Sequence, residues 1–201
     1  MDEVMDIKAY VGCIIQGDIP PYPFKRATYW EDTEYRGMCT SRGMWALIDQ
    51  SWTKELADII GDRTCLEVMA GFGWLAKALK QHGVDVTATD DQSWAGNRHS
   101  AGTPFDFIEN LDALSAIKKY ADAEMLIMSW PPYDEDIACL VGKAWGNEKP
   151  IIYIGEGYGG CNATDEFHEC FNIEEELDIP QWDGMHDYLQ IGTYNPIVKE
   201  L

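Results

Sequence analysis

LEVMAGFGW, residues 66 to 74, sets an apolar run directly before two glycines, Gly71 and Gly73, and a helical pattern follows at once. Glycine lets backbone come close to a ligand, and the first amides of a helix can face an anionic group. A glycine pair alone says little. It gains meaning from VTATDD, residues 86 to 91, a second strand-like run that places Asp90 17 residues after Gly73. There a carboxylate can accept hydrogen bonds from two ribose hydroxyls, so the pair of segments points to a nucleoside-containing cofactor.

The same alternation extends outward. Strand TCLEVMA, helix WLAKALKQHG ending at Gly83, strand DVTATD, a short strand near FDFIE, helix DALSAIKKYA and strand EMLIMSW succeed one another. A helix over about 135 to 146, strand PIIYIGEG and a short helix around TDEFHECF follow. Strands separated by helices of about ten residues specify parallel strands joined by right-handed crossovers. The tail differs, because IEEELDI and DYLQIGTY are two strand-like runs separated only by PQWDGMH and form an antiparallel pair. The expected fold class is therefore α/β, a Rossmann-like open sheet, mostly parallel with an antiparallel C-terminal edge pair and helices on both faces.

Upstream, the periodicity of Met44, Leu47, Ile48, Leu56, Ile59 and Ile60 predicts a helix starting after a cap at Thr40 or Ser41. Residues 1–40, interrupted by DIPPYPF, read as an irregular N-terminal arm on a core of residues 41–201. No repeat or linker divides the chain, so one domain is expected. Lys25, Arg26 and Arg36 in that arm, with Arg42 just beyond it, alternate with aromatic residues, a mixture that either lines a pocket or covers the core.

At 201 residues and 46% hydrophobic content the chain supports a sizeable core. The acidic start and the lack of any apolar run near roughly 18 residues argue against a signal peptide or membrane span. A cytoplasmic protein with no membrane partner is expected. Six cysteines without a C-x-x-C pair read as reduced thiols, and no metal site is expected. The net charge is −20; from residue 121 onward 17 Asp and Glu face only Lys143, Lys149 and Lys199, a net of −14. Phosphate backbones bind through Lys and Arg, so duplex nucleic acid is not an expected partner. Oligomeric state is not readable.

Two cofactors fit the glycine loop. A dinucleotide reading takes Gly71-x-Gly73-x-x-Ala76 as its fingerprint and leaves Glu67 an unpaired carboxylate in a buried strand, which is costly. The other reading takes Glu67 as the acid that opens the loop. In the order Glu67, Val68, Met69, Ala70, Gly71, Phe72, Gly73 the segment resembles the first motif of class I S-adenosylmethionine-dependent methyltransferases, with Met69 at the place of the first glycine. The resemblance covers residues 40 to 195. It implies S-adenosylmethionine as cofactor, held by Glu67, Ala70, Gly71 and Gly73, with Asp90 on the ribose and Asp112 and Ala113 at the adenine edge. Two bland readings stand beside it: Asp112 as a helix cap and Asp90 as a turn residue.

The resemblance extends to SWPPY, residues 129 to 133, which stands where base-methylating relatives carry Asn or Asp before Pro-Pro-Tyr. Pro131, Pro132 and Tyr133 would form the shelf beside the reactive methyl, with Trp130 before them as a further catalytic candidate and Ser129 as a cofactor-binding residue. Trp130 replaces the polar acceptor and offers only an indole N–H, so the usual route to exocyclic amines of bases is closed. Trp130 is either an aromatic wall for a cation or flat substrate or a core residue at a strand end. Tyr133, Asp134 and Glu156 are the nearest ionisable groups for proton transfer. The glycines of GEGYGGCNATDEF either admit a substrate or form a tight turn. SWPP together with YIGEGYGGC is also similar to a group of small proteins, a likeness that brings no established reaction with it.

The expected function is S-adenosylmethionine-dependent methyl transfer to a small molecule or protein side chain. A catalytically silent cofactor-binding or acidic interaction protein is the alternative, and a NAD-dependent oxidoreductase the third.

Overall fold

The computed structural model describes residues 3–25, 29–94 and 102–196. Its strands form one seven-stranded sheet, and their order is explained by the crossovers the sequence encodes. β1 (Cys65–Val68), β2 (Val86–Asp90), β3 (Glu109–Asn110), β4 (Met125–Ser129), β5 (Ile151–Gly155), β6 (Phe171–Leu177) and β7 (Tyr188–Tyr194) lie in the order β3-β2-β1-β4-β5-β7-β6. The first five are parallel, with Cys65 opposite both Val86 and Met125, and Leu126 opposite Ile151. β7 runs antiparallel between β5 and β6, Ile152 facing Ile191 and Asn172 facing Thr193.

Alternate strand residues feed two cores, as the period-2 pleat requires. Cys65, Met125, Ile127, Ile152 and Ile154 point to one side, where α1 (Ile7–Gln16), α3 (Gln50–Ile60) and α4 (Trp74–Gln81) pack. Leu66, Val68, Leu126, Met128 and Tyr153 point to the other, against α5 (Ala113–Lys119), α6 (Ile137–Trp145) and α7 (Asp165–Cys170). β5 is buried along its whole length, so it reads as an unbroken apolar run.

Two expectations are corrected. The N-terminal arm is not irregular: besides α1 it holds α2 (Tyr29–Thr40). Asp6 caps α1 by accepting from Lys8 N at 2.9 Å, Gly17 ends it at φ 82°, and Ile7, Tyr10, Val11 and Ile14 bury one face. That spacing is helical, and the proline run begins only after the helix has stopped. The helix expected from Thr40 or Ser41 instead starts at Gln50, where the Asp49 carboxylate accepts from Ser51 N and Trp52 N. Gly43 at φ 74° breaks the preceding stretch, which buries Met44, Leu47 and Ile48 without being helical. Of the basic arm residues, Arg26 lies outside the described residues. No helix among the described residues is long and apolar enough to cross a membrane.

Candidate functional site

The strand order turns back between β1 and β4, because the chain runs outward to β3 and then returns to the other side of β1. Ligands of open α/β sheets bind at the carboxyl ends of the strands at such a reversal. A cavity of about 300 Å³ opens there, bordered by the exits of β1, β2 and β4, the start of α5 and the segment before α3.

The β1 exit is held by backbone geometry. Met69 sits at φ 55°, in the left-handed region, which accounts for a glycine being favoured at this place in the motif it resembles. Gly71 at φ 56° donates its N–H to Asp90 Oδ2 at 2.7 Å. Gly73 is the residue before α4 and makes no side-chain cap; of the first amides of that helix, the N–H of Ala76 is given to Glu67. A Cβ on Gly73 would lie 2.4 Å from Ile108 Cδ1, so this glycine serves packing and does not itself border the cavity.

Asp90, at the end of β2, gathers three donors. Besides Gly71 N it accepts from Gln92 N at 2.7 Å and from Trp94 Nε1 at 2.8 Å. Burial raises its carboxyl above the usual range, and these N–H groups oppose the rise. A carboxylate offers about four lone-pair sites, so roughly one remains for a ligand. Asp90 thus ties the loop and also borders the cavity.

Glu67 is 1% exposed, and its Oε2 has no hydrogen-bond partner among the described residues. Burial, reinforced by Asp90, pushes its carboxyl up to about 8 against the opposing pull of the Ala76 N–H and Lys80. An orphaned buried acceptor bordering a cavity is a ready partner for a ligand cation. Asp112 caps α5 by accepting from Ser115 N at 2.9 Å, which holds its carboxyl below the usual range, and it borders the cavity beside Ala113.

On the shelf, Ser129, Trp130 and Pro132 border the cavity, but Pro131 and Tyr133 do not, and Tyr133 is 59% exposed. Glu156 is also outside it. Its carboxylate accepts from Cys161 N at 3.0 Å and His186 N at 3.3 Å, and these bonds outweigh burial to keep it below its usual range. The glycine-rich turn is accordingly a clamped structure in which Glu156 fastens residues 156 to 161, with Asn162 Oδ1 accepting from Glu156 N.

Three residues of this neighbourhood escaped the sequence reading. Trp45 stacks on Trp130 with ring centroids 5.6 Å apart and planes at 26°. Trp94 borders the cavity and binds Asp90. Asp187, 1% exposed, accepts from Trp130 Nε1 at 2.9 Å, and its Oδ2 has no partner among the described residues. Burial pushes its carboxyl up to about 7, the Trp130 bond pulling down and Glu156 pushing further up. Only the pairing of Gly155 with Tyr188 signals that Asp187 reaches this end of the sheet.

No family model matches the sequence, and no curated protein matches it. Among solved structures, magnesium protoporphyrin IX methyltransferase from Synechocystis PCC 6803, determined with S-adenosylmethionine bound, is similar with TM-score 0.50 at 12% identity, over 96% of this chain and 100% of its own. The 1,6-didemethyltoxoflavin-N1-methyltransferase of Burkholderia thailandensis, with 1,6-didemethyltoxoflavin and S-adenosylhomocysteine bound, gives TM-score 0.50 at 13% identity, over 88% of this chain and 95% of its own. The chain has the fold of class I S-adenosylmethionine-dependent methyltransferases.

Proposed function

We propose that the chain binds S-adenosylmethionine in the cavity at the β1–β4 reversal and transfers its methyl group to a small molecule or a protein side chain. One observation carries this reading. Five carboxylates, Glu67, Asp90, Asp91, Asp112 and Glu135, border the cavity, and no Lys, Arg or His does among the described residues. Even with Glu67 protonated the lining is anionic. It suits a cofactor bearing a sulfonium and an ammonium and opposes a dinucleotide pyrophosphate. Like charges about 4 Å apart cost roughly 4 kcal/mol at the effective dielectric of a partly exposed site.

The residues present fit the cofactor. Glu67, through its unpartnered oxygen, and the loop of Ala70 and Gly71 suit the amino-acid end. The remaining acceptor site of Asp90, with Asp91 beside it, suits ribose hydroxyls, and Asp112 with Ala113 suits the adenine edge. Ser129, Trp130 and Pro132 are left for the reacting end. Bound there, the cofactor supplies an electrophilic methyl carbon on a cationic sulfur. The chain's task is then chiefly to hold the acceptor in line, which supplies on the order of 7 to 11 kcal/mol in favourable intramolecular models.

Isothermal titration with S-adenosylmethionine, S-adenosylhomocysteine and NAD in parallel tests the assignment, followed by transfer of labelled methyl to a cell extract. Binding of the first two with no heat from NAD is expected, and labelled product with it. Binding of NAD in preference overturns the cofactor, and cofactor binding with no labelled product assigns the chain to silent binding.

A further inference from the structure

Trp130 is the least ordinary residue of the site. Its backbone lies at φ 55°, a region that bulky residues rarely adopt, and its N–H is held by Ile154 O at 2.8 Å. The indole N–H is given to Asp187, so the ring is fixed at its backbone and at its far edge. Trp45, 45% exposed, extends this wall from the cavity toward solvent. An indole whose N–H is donated to a carboxylate carries extra electron density, which deepens the negative potential of its face.

The chemistry of acceptors can be sorted against this wall. A carboxylate acceptor needs positive charge or hydrogen-bond donors around its oxygens, and a phenol or alcohol must first lose its proton, which leaves an oxyanion with the same need beside an anionic lining. The indole N–H of Trp130 is already committed and no basic side chain borders the cavity among the described residues, so the side-chain donors at hand, such as the Ser129 hydroxyl, are neutral. An amine needs neither. Its ammonium form is drawn by the anionic lining, with Glu135 at the shelf, and by the aromatic faces.

We propose that the methyl acceptor is an amine, recognised against the Trp45–Trp130 wall, with Asp187 as the positioning residue that fixes and electronically enriches Trp130. This rests on the methyl-transfer reading above. The amine arrives as an ammonium ion and gives one proton to water. Its freed lone pair forms the new N–C bond while the C–S bond breaks with its electron pair staying on sulfur, so the positive charge passes from sulfur to nitrogen. The product is a methylated ammonium ion and a neutral thioether, and no further reactant is needed. Asp187 is itself surrounded by Glu156 at the β5 exit, Arg36 from α2, and Tyr153 and Cys161, so Arg36 is the one basic group acting on it in that set.

The test uses the chain saturated with S-adenosylhomocysteine, whose sulfur is neutral and which allows no turnover. It is titrated with 2-phenylethylamine, 2-phenylethanol and phenylacetate, which share a ring and differ in the charge of one end. The amine is expected to bind at least about tenfold more tightly than the alcohol, the equivalent of about 1.4 kcal/mol, with phenylacetate weaker still. Asp187→Asn and Trp45→Ala should each shrink that preference at least threefold, and in Asp187→Asn, at a residue that does not border the cavity, the S-adenosylhomocysteine Kd should stay within twofold. Equal binding of the three probes, or preference for the acid, overturns the amine assignment and leaves the cofactor site standing. An unchanged preference in both variants overturns the roles of the wall and of Asp187. Failure of S-adenosylhomocysteine to bind overturns this inference together with the function on which it rests.

Discussion

Replacing Glu67 by glutamine should make the ligand-free chain more stable in mild alkali and remove much of its pH dependence. The side chain is 1% exposed and its carboxyl is pushed up to about 8, against an ordinary value near 4.5. Between those values the unfolded chain has released a proton that the folded chain keeps. The stability this group contributes is complete below about 4.5 and drains as pH rises toward 8, by about 1.4 kcal/mol per pH unit. From about pH 6 to about pH 8 the native chain should lose roughly 2 kcal/mol through Glu67 alone, or roughly 4 to 8 °C in Tm at this size. Glutamine keeps an acceptor for the Ala76 N–H and has no such slope. Urea denaturation of both proteins across that range reads the difference directly. A second readout joins stability to binding: if the cofactor's cationic end pairs with ionised Glu67, binding near pH 7 releases close to one proton, seen as a buffer-dependent heat, and Glu67→Gln releases none. Parallel stability profiles for the two proteins would refute the assignment of Glu67 as the buried titrating group.

Three further outcomes are expected. Asp90→Ala strips a partner from Gly71 N, Gln92 N and Trp94 Nε1 at once, so it should lower stability by roughly 1 to 3 kcal/mol and weaken S-adenosylhomocysteine binding, both measurable by thermal shift with and without ligand. Trp130→Phe keeps a ring but removes the N–H from buried Asp187, so urea denaturation should show a loss of roughly 1 to 3 kcal/mol, larger at about pH 8 than at about pH 6. The two loop glycines should separate. Gly73→Ala meets Ile108 at 2.4 Å and should cost roughly 1 to 3 kcal/mol of stability, whereas Gly71→Ala has nothing nearer than Gly43 O at 4.0 Å and should impair ligand binding more than melting.

The sheet was legible because buried parallel strands such as LEVMA and PIIYIG are continuous apolar runs bounded by helices of regular spacing, a pattern few other folds share. Less visible was the segment from Ser41 to Asp49. Met44, Leu47 and Ile48 recur at helical spacing, yet they are buried by a non-helical stretch that Gly43 bends and Asp49 terminates. Periodicity over so few residues cannot separate those cases. Helix α1 carried a readable signal in Asp6, Gly17 and four apolar residues on one face, and the adjacent prolines masked it. In the site, Glu67, Ala70, Gly71, Asp90, Asp112, Ala113, Ser129 and Trp130 meet at one cavity because each lies in the last residues of β1, β2 or β4 or just beyond β1, β3 or β4, at the carboxyl edge of the sheet. Trp45 and Asp187 come from a loop and a late turn, and their places depend on tertiary packing that no local pattern encodes. Glu156 lies at a strand exit as well, but its hydrogen bonds turn it into a fastening for its own loop.

The position of β7 has a consequence for how the chain comes off the ribosome. Every parallel strand has been made once Gly155 is added, but the apolar flank of β5 stays uncovered until residues 188 to 194 follow, 33 residues or more later. At about 5 to 20 residues per second, that leaves a hydrophobic edge open for roughly 2 to 8 s, long enough for wrong partners to be sampled. Asp187 immediately precedes the strand that ends this exposure. The residue that fixes Trp130 therefore reaches its place in the same late event that closes the sheet, and a nascent chain with an open edge also has an unassembled aromatic wall.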